Sequence, residues 1–304
     1  MTMADTVQKT PTAYEMFCAG DQPDGSAQEE RERRFFLSVR LPNGTFKTTN
    51  HRRLDDLNAL VNEHLPAARP LRVMDVAVSS GVSTAEWLEA LEGRGISCEM
   101  VAGDLSASAF VISAGWGLRV LTNGRGVPLQ FDVRGRAVRV DAGLRQQLRY
   151  ALPLLWLRIA SRAFFALQRP GVDAPRSADV VRAGGMEGRP VKLLSRRLSA
   201  RKNLQVVDDD ILVDRHFEKE FDVLRAANIL NLVYFSKETL AAMVVNLRRR
   251  LRPGGLLVIC RTLEDGTNHG SVFELDAGAR FTVLARLNKG SEIEELVLGL
   301  RGEI

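Results

Sequence analysis

Apolar positions along the chain change period several times. Leu71 to Val78 is a short valine-rich run after Pro70, followed by small residues and then Ser83-Thr84-Ala85-Glu86, a capping-box pattern that predicts a helix start. Ile96 to Ala102 repeats the strand signal, and Asp104-Leu105-Ser106 predicts entry into another helix. The alternation resumes at Leu204 to Val207 and at Phe221 to Leu224. A helix over Lys237 to Leu251 follows, with basic residues in its last turn and Pro253-Gly254-Gly255 as its stop. Leu256 to Thr262 reads as a fifth strand, Ser271 to Leu275 and Phe281 to Leu287 as an antiparallel pair, and Ser291 as the cap of a last short helix. Strands alternating with helices predict an α/β, Rossmann-like fold: a mostly parallel sheet with an antiparallel C-terminal edge hairpin.

Residues 1–33 are polar and without sustained period, which predicts a flexible N-terminal tail. An N-terminal cap is expected over 34–70, with a strand at Phe35 to Val39, a Pro-Asn-Gly turn at 42–44 and a helix around Leu54 to Leu65. The main domain then spans 71–304 and is interrupted by an insertion at 115–202. That insertion carries 18 Lys and Arg against 5 Asp and Glu, a local charge of +13 in a chain whose net charge is only +5.

Within the insertion, Tyr150 to Leu167 is the most apolar stretch, but Pro153, Arg158 and Arg162 interrupt it. A spanning helix needs roughly 20 apolar residues, so this stretch is not read as transmembrane. Arginines at 145, 149, 158 and 162 among leucines, Trp156, Phe164 and Phe165 predict a basic amphipathic helix over 144–167, kinked near Pro153. Such a helix suits a lid with its apolar face buried. It also suits peripheral membrane contact, with arginines on anionic headgroups. Nucleic acid ranks last, because no RNA-binding motif accompanies the charge. Three scattered cysteines, Cys18, Cys98 and Cys260, indicate neither a disulfide framework nor a metal site. Together with a start, MTMADTVQKT, that lacks signal-peptide regions, they lead to the expectation of a reducing, cytoplasmic setting.

The chemistry-bearing positions cluster at strand ends. A small-residue turn made by Ala77, Ser79, Ser80 and Gly81, between a parallel strand and a helix, lets backbone amides approach a ligand. Tight turns of this kind are common in α/β proteins for purely structural reasons. Asp104, after the second strand, is placed to accept both hydrogen bonds of a ribose diol, which serves a dinucleotide oxidoreductase equally well. What separates the classes comes later and in order: Val206-Val-Asp-Asp-Asp-Ile211, Phe221 to Asn231, and Leu251-Arg-Pro-Gly-Gly255 before the fifth strand.

In this ordered set the chain resembles the class I S-adenosylmethionine-dependent methyltransferases over roughly 71–114 and 204–287. The Phe221 to Thr262 stretch looks most like their chemotaxis-receptor branch. The resemblance implies a Rossmann-like methyltransferase fold and S-adenosyl-L-methionine as cofactor. It places the amino-acid end of the cofactor on Asp75, Ala77, Ser79 and Gly81, and the ribose on Asp104 with Leu105 beside the adenine. Asp210 and Ile211 fall at the adenine, and Ala226 to Asn228 line the methyl-transfer face. The family's loop commonly has glycines at three alternate positions, whereas Ala77 and Ser79 stand at the first two here. The strand-four end lacks the Asn/Asp-Pro-Pro-aromatic motif of enzymes that methylate nucleobase amines.

Methyl transfer asks for in-line positioning and a base where the nucleophile carries a proton. His269 and Glu264, in the segment after the fifth strand, are the candidates; a solvated loop shaped by its Asp-Gly and Asn residues is the plainer alternative. Asp265 shares that segment, and Tyr234 and Asn231 are equally explained by packing and capping. The expected activity is methyl transfer to a small acceptor, hydrophobic or acidic. The alternative is a non-catalytic descendant that binds a partner or a membrane surface.

Overall fold

The computed structural model describes residues 9–20, 25–41, 47, 51–65, 70–167, 180–213 and 215–300. The turn expected at 42–44 lies outside these. In chain order the elements begin with α1 (Ala13–Phe17), α2 (Ser26–Phe36), α3 (Asp55–Glu63), β1 (Leu71–Val76), α4 (Val82–Gly93) and β2 (Cys98–Asp104). There follow β3 (Ser108–Ser113), β4 (Leu118–Asn123), β5 (Pro128–Val133), β6 (Ala137–Arg139), α5 (Leu144–Arg149), α6 (Ala151–Leu167), β7 (Val181–Ala183) and β8 (Met186–Lys192). The chain continues with α7 (Arg196–Ser199), β9 (Leu204–Asp208), β10 (Phe221–Ala227), α8 (Lys237–Arg250), β11 (Leu251–Thr262), β12 (Asn268–Leu275), β13 (Phe281–Leu287) and α9 (Glu294–Gly299).

The chain divides into two compact units, one formed by Met1–Thr49 with Ser108–Leu193, the other by Asn50–Ala107 with Leu194–Ile304. The second holds a seven-stranded sheet in the order β13-β12-β11-β10-β1-β2-β9. β9, β2, β1, β10 and β11 are parallel, and β12 and β13 add the antiparallel edge pair. This is the Rossmann-like α/β sheet expected from the sequence. Parallel central strands are covered on both faces, and here Val73, Val223 and Val258 pack with Leu57, Trp87 and Leu88 of α3 and α4. On the opposite face Met74, Leu224 and Leu257 pack with Leu240, Val244 and Leu247 of α8. Pro253 and Gly254 do not terminate a helix from outside. The helix ends at Arg250, and both residues lie inside β11, where the pairing with β10 shifts register between Phe221 and Val223.

The first unit is a three-layer body around a six-stranded antiparallel sheet, β6-β5-β4-β3-β8-β7. On one face Ala109, Val111, Leu121 and Leu129 meet Ala13, Met16, Phe35 and Phe36 of α1 and α2. On the other, Ile112, Val120 and Phe131 meet Leu154, Leu157, Ala160 and Phe164 of α6.

Several expectations change here. Residues 13–17 and 26–36, placed in a loose tail, are helices of this core. The expected strand at Phe35 to Val39 is instead the end of α2, where Arg33 and Arg34 pair with Glu30 one turn back. Phe35 and Phe36 are both fully buried in the core beneath the first unit's sheet. Asp104-Leu105-Ser106 leads into β3 rather than a helix. The inserted segment therefore starts at Ser108 and ends at Leu193, not at 115 and 202, and it shares one unit with the N-terminal helices. Pro153 sits in the first turn of α6, where its missing N–H costs nothing, and the helix break falls at Tyr150.

A buried ion pair ties the second unit's sheet to α8. Arg250 donates to both carboxylate oxygens of Asp209, at 2.7 and 2.9 Å, with both side chains inaccessible to solvent. Replacing one partner strands the other charge, which costs about 3–5 kcal/mol, whereas two apolar partners restore much of it. Arg250→Leu is therefore expected to lower the urea midpoint sharply, and Asp209→Leu/Arg250→Leu to recover most of the loss. Equal midpoints for wild type and Arg250→Leu would show that the pair holds nothing.

Candidate functional site

β1 lies between β2 and β10, so the connections leave it in opposite directions and open a crevice beyond the carboxyl ends of the strands. The turn from β1 to α4 forms one lip. Ala77, Ser79 and Gly81 adopt φ of +56°, +57° and +78°, the left-handed conformation at three alternate residues. The backbone path is thus the one glycines would take, and alanine and serine keep it at a cost of about 1–2 kcal/mol each. At Gly81 a side chain has no room either, because a Cβ there would collide with Leu198. Gly81 is the N-cap of α4 and makes no side-chain cap. The expected capping box at Ser83 does not form, since Ser83 lies inside the helix. Glu86 accepts instead from the Arg52 backbone N–H at 2.9 Å.

Asp104 closes the crevice from the β2 side. It is buried, accepts the Ser79 N–H at 2.8 Å on one carboxylate oxygen and accepts the Ser106 N–H at 3.1 Å on the other. Leu105 beside it is exposed. The sequence-predicted loop and the sequence-predicted acid are therefore brought together by a direct hydrogen bond.

Asp75 has a different set of partners. Its carboxylate receives Arg225 Nε at 3.0 Å and Nη2 at 2.5 Å, and the Thr84 hydroxyl at 2.7 Å. Arg225 is fully buried, donates to Asn58 Oδ1 at 2.7 Å and to the Ser83 carbonyl, and lies over the Trp87 ring. The two residues are register partners on adjacent strands β1 and β10. Sequence reasoning missed Arg225, although a charge inside the apolar run Phe221-Asp-Val-Leu-Arg-Ala-Ala227 demands a buried partner.

The three aspartates after β9 separate in role. Asp208 ends the strand, Asp209 pairs with Arg250, and Asp210 accepts the Leu212 N–H at 3.0 Å. Ile211 and Ala226 are buried in the core beneath α8. Asn228, just past β10, has φ +63° and faces Thr262 in two ways: its Oδ1 accepts the Thr262 N–H at 2.7 Å, and its Nδ2 donates to the hydroxyl at 3.3 Å. That hydroxyl donates to Asn268, which in turn donates to Asp56 and to the Arg53 carbonyl. Asn228 thus anchors a polar chain running from β10 to α3.

His269 pairs with Arg261 across the β11–β12 hairpin, three strands from β1, a lateral distance of about 14 Å. Glu264 is exposed in the turn of that hairpin. Both lie at the sheet edge that carries the crevice, but neither is held against the loop at 77–81. Burial pushes the Cys260 thiol up to about 12 and the Cys98 thiol up to about 11, and raises that of half-buried Cys18 as well. Among the described residues no group of three or more His, Cys, Asp or Glu could hold a metal ion.

No protein-family model matches the chain, and no curated protein matches it. Solved structures with which it superposes include the [4+2]-cyclase SpnF, with 14% identity and a TM-score of 0.32 over 70% of this chain and 47% of that one. The N-methyltransferase NodS from Bradyrhizobium japonicum superposes with 9% identity and a TM-score of 0.31, over 69% and 63%. Geranyl diphosphate C-methyltransferase from Streptomyces coelicolor gives 11% and 0.31, over 68% and 45%. The chain spans less than two thirds of each of these. The second unit has a Rossmann-like α/β fold, five parallel strands with an antiparallel edge pair.

The left-handed loop generates a stability test. Ala77→Gly and Ser79→Gly are each expected to raise the unfolding free energy by about 1 kcal/mol through relief of the positive-φ cost. Gly81→Ala, strained and without room, should lower it by more. Thermal unfolding of the three variants reads this directly, and destabilisation by both glycine substitutions would refute the assignment.

Proposed function

We propose that the second unit binds S-adenosyl-L-methionine in the crevice at the ends of β1, β2 and β10 and transfers its methyl group to a small acceptor, hydrophobic or acidic. The observation that carries this reading is the hydrogen bond from Ser79 N–H to Asp104, which joins a left-handed βα turn to a buried carboxylate at the point where strand order reverses.

The residues present suit the cofactor. The N-terminus of α4 favours its carboxylate, while the Ser79 and Gly81 N–H groups are taken by Asp104 and the Val78 carbonyl and hold the turn in shape. Asp104 accepts the ribose hydroxyls while remaining tied to the loop. Asp210 stands at the adenine end and Asn228 at the end from which the methyl group leaves, with Ile211 and Ala226 backing them from the core. The role the resemblance gave to Asp75 is reassigned: paired with Arg225, it sets the spacing of β1 and β10 and so acts by positioning. When bound, the cofactor supplies an electrophilic methyl group on a sulfonium. The protein's part is then to hold the acceptor in line and to take its proton where it has one, with His269 or Glu264 as the groups on that sheet edge.

A second reading is a non-catalytic module built on the same fold. It is favoured by the Cβ atoms at Ala77 and Ser79 and by the complete engagement of Asp75 with Arg225 and Thr84.

Calorimetry separates these readings. Binding of S-adenosylmethionine and S-adenosylhomocysteine is expected, with Asp104→Ala weakening it about tenfold or more, the scale of a lost charged hydrogen-bond acceptor. No heat from either ligand would overturn the cofactor reading. Binding without release of labelled methyl into any fraction of a metabolite extract would select the non-catalytic module.

A further inference from the structure

The first unit contains a feature that the cofactor reading does not use. A cavity of about 780 Å³ is lined by Lys9, Arg134, Arg136, Arg145, Arg149 and Tyr150, with no carboxylate in its wall. Lys9 is paired with Glu15 at 2.8 Å, but none of the four arginines has a carboxylate partner among the described residues. Two of them, Arg145 and Arg149, come from α5, and Arg149 lies beside the ring of Tyr150. Four guanidiniums around one concavity repel each other unless an anion sits among them, and planar guanidinium forks suit phosphate.

The same helices carry an unpartnered apolar face. α6 buries Leu154, Leu157, Ala160 and Phe164 against its own sheet, yet its opposite side presents Leu152, Leu155, Trp156 and Ile159 to solvent, Leu152 being 80% exposed. Within α6 the exposed residues at 152, 155, 156 and 159 have the spacing of one helical stripe, and Leu144 and Leu148 of α5, before the break at Tyr150, are exposed as well. Trp156 donates its indole N–H to the Ala114 carbonyl, which places it by the β3–β4 turn where Trp116 is 82% exposed. Arg158 and Arg162 flank the stripe, and no acidic residue occurs from Leu144 to Leu167. A helix that is apolar on both sides, with arginines along one flank and a tryptophan of its own beside a second one on the adjoining turn, matches a membrane interface rather than water. No helix among the described residues is long and apolar enough to cross a membrane.

We propose that α5, α6 and the adjoining β3–β4 turn form a monotopic docking surface for an anionic phospholipid bilayer. The four arginines of the cavity receive headgroup phosphate, and Leu152, Ile159, Trp116 and Trp156 enter the acyl boundary. Charge complementarity selects the occupant: the segment 108–193 has 14 Lys and Arg against 5 Asp and Glu, so a second copy would bring like charge to like charge.

The test uses the full chain and vesicle flotation. Co-flotation is expected with vesicles of phosphatidylcholine mixed with phosphatidylglycerol and not with phosphatidylcholine alone, and it should weaken as salt rises. Arg145→Glu/Arg149→Glu and, separately, Leu152→Glu/Ile159→Glu alter only exposed side chains. Each should cut the bound fraction about tenfold or more, with the circular dichroism spectrum unchanged. Tryptophan emission should shift to the blue on addition of mixed vesicles, and the shift should vanish in Trp116→Phe/Trp156→Phe. Equal flotation with both vesicle types, flotation unaffected by the arginine variant, or concentration-dependent dimerisation without flotation would overturn the proposal. So would retention on single-stranded RNA with no vesicle binding.

Discussion

The geometry of the second unit depends on one buried charge pair at the centre of its sheet. Asp75 and Arg225 face each other across β1 and β10, the two strands whose junction defines the crevice, and the guanidinium reaches on to Asn58 of α3, the start of α4 and the face of Trp87. Three elements are therefore referenced to a single side chain. The arrangement satisfies both ions inside a core where an unpaired one would be expelled. The loop at 77–81 starts two residues beyond Asp75, after the last strand residue Val76.

The strands of the second unit were legible because parallel strands buried on both faces are continuous apolar runs, as at Leu71–Val76 and Phe221–Ala227. Asp104 was legible for a similar reason, as a lone acid ending such a run. The first unit was not. Its sheet is built from short strands separated by glycine turns, and its second layer comes from residues 13–36, more than 70 positions earlier than β3. Nothing local in Phe35 and Phe36 says that Val111 and Leu129 will cover them. The helix boundary at Asp104-Leu105-Ser106 failed likewise. A polar triplet after a strand opens a helix only if the next residues have helical period, and Ser108 to Ser113 instead alternate between two cores.

Charge inside strands and helices was the signal left unread. Arg225 and Arg250 each lie in or beside an apolar element, and each has an aspartate waiting across the sheet. Of the three acids the resemblance placed at the cofactor, Asp75 is consumed in this way while Asp104 and Asp210 accept backbone N–H groups, and sequence position alone does not distinguish them. Burial on the strand face towards α4 assigns Asp75 to the frame; attachment to the loop backbone assigns Asp104 to the crevice.

The replacement of glycines by Ala77 and Ser79 bears on competence in a more limited way than the sequence suggested. Both residues hold the left-handed conformation, so the N–H groups of the turn point where glycine would have pointed them. What changes is side-chain volume, a methyl group and a hydroxymethyl group on a half-exposed turn, together with stability spent on holding L-residues at positive φ. Positive φ at non-glycine residues recurs in other turns of the chain, at Trp116, Arg134, Lys219 and Ala279 among them, so the strain by itself belongs to the turn and not to a ligand. What distinguishes this turn is the Ser79 to Asp104 hydrogen bond, which fixes its conformation against the end of β2 whatever the side chains at 77 and 79.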